Sequence, residues 1–140
     1  MGSWGKGRQM KRLQADKYFS EYIRIRDDWE CQRCGKKFKQ GVDSQKLHCA
    51  HLWFGRANLS TRWEPLNCIS LCIGCHNVTD QHPAYAWTLI SKHRTLDEIM
   101  WLQQRKDKKL RIKIPEDLEK SERKRIMEML VTIKKEKANE

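Results

Sequence analysis

The sequence predicts an α+β domain: a short strand–loop–strand–helix module closed by cysteine pairs, with one helix ahead of it and further helices behind. Three observations carry this. Cys31-Gln-Arg-Cys34 and Cys72-Ile-Gly-Cys75 are two Cys-x-x-Cys pairs set far apart in the chain. Residues 47–54 and 68–71 are short apolar runs flanked by turn-forming residues, which reads as two strands. Apolar residues recur at helical spacing before Cys31 and again beyond Pro83.

The chain has 140 residues, 39% hydrophobic and 34% charged, with a formal net charge of +11. One domain with helical extensions fits that length. The apolar content is lean for a packed core, so a metal cross-link would help a small module keep its shape. The charge suits an anionic polymer, nucleic acid before an acidic membrane; the bland reading is solubility alone. No segment approaches the ~18 apolar residues of a membrane span. Residues 1–12 lack the apolar stretch of a secretory signal. A cytoplasmic chain is therefore expected, with its six cysteines reduced and available to metal rather than paired as disulfides.

Taken in order, residues 1–13 read as a flexible basic arm. From Ala15 the stripe Tyr18, Tyr22, Ile25 and Trp29 marks an amphipathic helix, flanked by Phe19 and Ile23 and opened by Asp16. Gly35 closes the first cysteine turn, and Lys36 and Lys37 follow it. The 13-residue stretch between the two strands holds Gly55, Asn58, Ser60 and Pro65, so it reads as a long functional loop. A short helix is expected from about Gly74 to just before Pro83. Beyond it, Tyr85, Ala86, Leu89 and Ile90 and then Leu96, Ile99 and Met100 continue the helical pattern, with a start signal at Thr95, Asp97 and Glu98. Residues 14–110 form the main domain on this reading. Residues 111–140 form a charged C-terminal helix opened by Pro115, whose stripe of Ile126, Met129, Leu130 and Ile133 would dock on the domain or join a second copy as a homodimer.

The cysteines come first chemically. Four thiolates from Cys31, Cys34, Cys72 and Cys75 would close a tetrahedral structural Zn²⁺ site with no position left for substrate. Cys49 and Cys68 read as small buried hydrophobes in preference to ligands. His82 and His93 read as surface or structural residues. His51 ends the first strand, just before the basic loop. His76 follows a zinc cysteine at a helix start, so the zinc would fix it in space and strand pairing would bring His51 toward it.

These residues resemble the HNH, or ββα-metal, endonucleases in their zinc-stapled form. The resemblance rests on Cys31-x-x-Cys34, the strand ending in His51, Asn67 and Cys72-x-x-Cys75-His76. Leu47-x-Cys49-Ala50-His51 followed by Thr61-Arg62-Trp63-x-x-x-Asn67 is similar to phage recombination nucleases of the NinG (Rap) type. The likeness covers roughly residues 15–110 and implies a zinc-stapled HNH core. It implies a DNA endonuclease, structure-selective on branched or recombining phage DNA and acting in a bacterial host. His51 would be the general base, with Asn67 orienting it or helping to hold a catalytic Mg²⁺ or Mn²⁺ that His76 ligates. Arg56, Arg62, Lys36 and Lys37 would meet DNA phosphates. Where many members carry a metal-binding acid or His before the base, this chain has Ala50. Asp80, four residues after His76 on one helix face, is the geometric candidate to fill in. His48 is the other substitute, but in a regular strand residues 48 and 51 point to opposite faces.

Two other readings compete. A zinc-binding nucleic-acid adaptor would need the thiolate site and the charge but not the His51, Asn67 and His76 set. A redox protein using Cys-x-x-Cys would carry no zinc.

Overall fold

The computed structural model describes residues 12–41, 43–52, 55, 58–105 and 114–140. The N-terminal arm up to residue 11, Phe54, Arg56 and the basic connector at 106–113 lie outside the described residues. Among the described residues the fold is α+β, with six helices and a two-stranded antiparallel sheet. The order is α1 (Gln14–Arg26), β1 (Leu47–His51), α2 (Leu59–Arg62), a 3-10 turn (Pro65–Asn67), β2 (Cys68–Cys72), α3 (Ile73–Gln81), α4 (Pro83–His93), α5 (Leu96–Arg105) and α6 (Glu116–Ala138). No helix among the described residues is long and apolar enough to cross a membrane.

The hairpin pairs Leu47 with Cys72, His48 with Leu71, Cys49 with Ser70, Ala50 with Ile69 and His51 with Cys68. Side chains alternate across a strand, so Cys49, His51, Cys68 and Ser70 share one face, and His48, Ala50, Ile69 and Leu71 the other. Helix α1 covers the first face: Phe19, Ile23 and Trp63 pack with Cys68, and Ser70 Oγ donates to the Ile23 carbonyl. The first cysteine turn, α3 and α4 cover the second, where Ala50, Ile69 and Leu71 pack with Trp29, Cys31, Cys75 and Leu89.

Helix α1 stops earlier than its apolar stripe implies. Asp28 and Trp29 take positive φ of 57° and 55°, which ends the helix and turns Trp29 into the core beneath the cysteine turn. The stripe itself is divided. Phe19 and Ile23 are buried against the hairpin, while Tyr18, Tyr22 and Ile25 face Leu130 and Ile133 of α6. Helix α6 therefore docks on the domain, and Ile126 sits in one core cluster with Ala15, Phe19 and Trp63. The apolar stripe that the sequence offers to a homodimer is covered within the chain. Behind the sheet, Thr95 and Glu98 exchange bonds as a capping box at the start of α5 (3.1 and 2.8 Å). The helical pattern there overstates burial: Leu89, Ile90 and Leu102 are buried, whereas Tyr85, Leu96 and Met100 are exposed.

The loop expected between the strands is a built element. Arg62 is completely buried, and its guanidinium donates to Asp16 of α1 through Nε (3.0 Å) and Nη2 (2.6 Å). Trp63 Nε1 also donates to Asp16 (2.9 Å), as does the Leu13 backbone N–H (2.7 Å). The assignment of Arg62 to DNA phosphates is thus corrected: its charge is spent inside the core. Burial raises the Asp16 carboxyl, but the bonds from Arg62, Leu13 and Trp63 outweigh it and hold it below its ordinary value of 3.8.

Breaking a buried pair on one side strands the other charge. Asp16→Ala is expected to lower stability by roughly 3–5 kcal/mol, read as the urea midpoint; a loss near zero would show that the buried pair does not hold the inter-strand segment to α1. The folded Asp16 titrates below the unfolded one, so its contribution is full above the unfolded value and is lost as pH falls through the folded value. Acid unfolding of Asp16→Asn should show a shallower pH dependence than the parent below about pH 4.

Candidate metal and catalytic site

The turn at 31–34 is tied down at both ends. Cys31 N donates to the Lys36 carbonyl and Gly35 N to the Cys31 carbonyl (both 2.9 Å), and Gly35 takes the positive φ of 79° that closes it. Gln32 N donates to the Ser70 carbonyl (2.9 Å), which lays the turn along β2. The second pair comes from the β2–α3 junction: Cys72 caps α3, its sulfur accepting from Cys75 N (3.5 Å). The Sγ atoms of Cys31, Cys34, Cys72 and Cys75 lie within 4.8 Å of one another, with Cys34 and Cys72 3.8 Å apart. A tetrahedral ion with bonds of about 2.3 Å requires sulfurs about 3.8 Å apart, so this donor set fits one thiophilic metal ion.

The thiols are electrostatically unequal. Burial opposes the Cys31 thiolate, yet bonds from the Cys34, Cys72 and Arg33 backbone bring it down to about 7. Burial raises Cys75 to about 12, with the neighbouring thiols adding to it against the Arg33 guanidinium. A bound cation reverses the second effect, because coordination deprotonates a thiol outright.

Beside this cluster a cleft of about 760 Å³ opens between α1, β1 and α3. His48, His51, His76 and Asp80 line it. His51 and His76 reach it from opposite faces of the hairpin, and the ring that meets His76 is that of His48, with the two Nδ1 atoms 2.9 Å apart. Strand parity explains this: His48 shares the face that α3 covers. The imidazole that meets His76 is thus that of His48, on the face opposite His51. Pairing of His48 with Leu71, which spacing along the chain does not fix, puts position 48 on the α3 side. Asp80 Oδ2 lies 3.7 Å from His76 Nε2, on the opposite side of that ring from His48. Burial lowers the His76 pKa below 6.5; Asp80 opposes this and His48 adds to it. A lowered value keeps the imidazole neutral and able to bind a cation.

His51 Nε2 is 3.0 Å from the Arg62 carbonyl. A carbonyl only accepts, so Nε2 carries the hydrogen and the lone pair of neutral His51 is on Nδ1. Asn67 is completely buried and its Nδ2 donates to the Thr61 carbonyl (3.2 Å). It thereby holds α2, whose last carbonyl orients His51. Lys36 and Lys37 are exposed on the cysteine turn; Arg56 lies outside the described residues. The guanidinium the sequence reading missed is Arg24, buried in α1 but lining the cleft, with Arg12 and Lys17. Its Nη1 donates to the Leu47 carbonyl (3.3 Å), it lies over the Trp29 ring, and its Nε has no partner among the described residues. Of the other histidines, His93 donates to the Gln32 carbonyl (3.0 Å) and His82 packs edge-on against Tyr85. Both are structural in that sense.

The purified protein is expected to carry one tightly held equivalent of a thiophilic metal. Cys34→Ser and Cys72→Ser should each lose it and unfold at lower temperature, by elemental analysis and circular dichroism. Full metal content in both variants would refute the four-thiolate site.

Compared with known proteins, the chain matches no family model, no curated protein and no solved structure.

Proposed function

We propose that the chain is a metal-dependent DNA endonuclease of the HNH type, with a structural Zn²⁺ on Cys31, Cys34, Cys72 and Cys75. One observation carries the reading. A basic-rimmed cleft gathers a tautomer-fixed His51 and the facing His48–His76 pair on a strand–strand–helix unit, next to four converging thiols. A binding module needs the thiols and the charge, but not this arrangement of imidazoles.

The roles follow from the contacts. His51 accepts a proton at Nδ1 from the attacking water as that water's oxygen bonds to phosphorus. The Arg62 carbonyl accepts a hydrogen bond from Nε2–H and steadies the imidazolium that forms. Asn67 acts on His51 through Thr61 and α2, so it is a positioning residue rather than a ligand. His48 and His76 would hold the catalytic divalent ion at their facing nitrogens, and Asp80 would orient His76 from behind. That ion supplies stabilisation of the charge on the leaving 3′ oxygen. The P–O3′ bond breaks, solvent protonates the leaving oxygen, and the products are a 5′-phosphate and a 3′-hydroxyl. Arg24, with Arg12 and Lys17, offers positive charge to the phosphates along the cleft.

Mg²⁺ takes oxygen ligands, so a pair of imidazoles favours Mn²⁺. Supercoiled plasmid should be cut faster with Mn²⁺ than with Mg²⁺. His51→Ala should slow cutting by about 10²–10⁴-fold, the usual worth of a general base. His48→Ala should raise the Mn²⁺ concentration needed for half-maximal cutting. Cutting unchanged in His51→Ala would sink the assignment of the base. Tight DNA binding with no cleavage of duplex, flap or four-way junction would replace the nuclease with an adaptor.

A further inference from the structure

Cys49 and Cys68 stand apart from the four-thiolate cluster, and the nuclease reading gives them no task. His51 and Cys68 are direct cross-strand partners, and Cys49 lies two residues before His51 on the same face. The two sulfurs and a ring nitrogen of His51 all lie within 4.8 Å of one another. Cys49 and His51 line the cleft, with Cys68 fully buried beneath them. The Arg62 carbonyl on His51 Nε2 is the kind of outer partner that a metal-bound imidazole uses. Two thiols and one imidazole are a soft donor set suited to Zn²⁺.

We propose that Cys49, His51 and Cys68 form a second Zn²⁺ site whose occupation takes the lone pair of His51 and stops cleavage. Each thiol releases a proton to solvent as its sulfur binds, so the two thiolates cancel the charge of the ion. A neutral assembly is cheaper to bury than a net charge. Burial and the adjacent Cys49 thiol push the Cys68 thiol well above its ordinary value, against the positive charge of Arg26 and Arg94, which both donate to the Cys68 carbonyl (2.7 and 3.0 Å). The thiolate there depends on the bound cation. The site is open on the cleft side, in contrast to the closed four-thiolate cluster. Its inhibitory effect rests on the nuclease reading; the binding of the ion does not.

The test uses the full chain kept under a non-thiol reductant. Titration with Cd²⁺ should raise sulfur-to-metal absorbance in two steps, four thiolates with the first equivalent and two with the second, the second step about half the first in height by the number of thiols in each group. With Zn²⁺ in excess the parent should retain two equivalents after gel filtration, and Cys49→Ser one. A parent titration with no second thiolate step overturns the site whatever the variant does. Two equivalents retained by a folded Cys49→Ser also overturns it, because the second ion then sits elsewhere, as on His48 and His76. With Mn²⁺ present, one equivalent of Zn²⁺ beyond the first should suppress plasmid cutting by the parent at least tenfold and leave cutting by Cys49→Ser at its rate with the first equivalent alone. Cutting by the parent that survives the second equivalent overturns the inhibition. A two-step titration in a parent that never cuts DNA overturns the nuclease reading instead, with the metal site intact.

Discussion

The carboxylate of Asp16 is the contact on which the candidate site depends. It sits in the first turn of α1 and accepts from Leu13, Arg62 and Trp63. Those bonds pin the segment between the strands against α1. The same segment presents the Arg62 carbonyl to His51, takes the Asn67 amide at Thr61 and accepts Arg125 of α6 at the Trp63 carbonyl. A buried ion pair is weak evidence for net stability, but it strongly penalises any arrangement that separates its partners. Here the arrangement so protected is the orientation of one imidazole.

Strand β2 runs between two groups of soft donors. Cys68 starts it beside Cys49 and His51, and Cys72 ends it in the four-thiolate cluster. Pairing with β1 then sorts the histidines by parity, His51 toward α1 and His48 toward α3. Because both strands are short, both faces reach the same cleft at the hairpin edge. A one-residue slip would exchange the two histidines and bury the wrong donors. The apolar residues Ala50, Ile69 and Leu71 prevent it by demanding the core under the cysteine turn.

The positive charge is distributed more sparingly than the net value of +11 suggests. Arg62 is absorbed by Asp16. Arg26 and Arg94 serve the carbonyls at the start of β2, with Arg26 also bound to Asp27. Among the described residues, what remains at the cleft is Arg12, Lys17 and the half-satisfied Arg24. Basic residues near a site in sequence are therefore poor guides to which of them meet an anion. A buried arginine satisfies backbone acceptors as readily as phosphate.

By itself the sequence determined the α+β class, the two strands, the short helix after Cys72, the last helix and the gathering of four cysteines. These are local properties: apolar period, capping residues and paired-cysteine spacing all act within a few residues or through one metal-sized constraint. The capping box at Thr95 and Glu98 and the helix opened by Pro115 were legible for that reason. The tertiary structure alone decided that Arg62 is a core residue, that His48 faces His76, that Asn67 bonds to the Thr61 carbonyl of α2 and that α6 lies on α1. Each depends on pairing between distant segments, where register and burial choose partners that spacing along the chain does not distinguish.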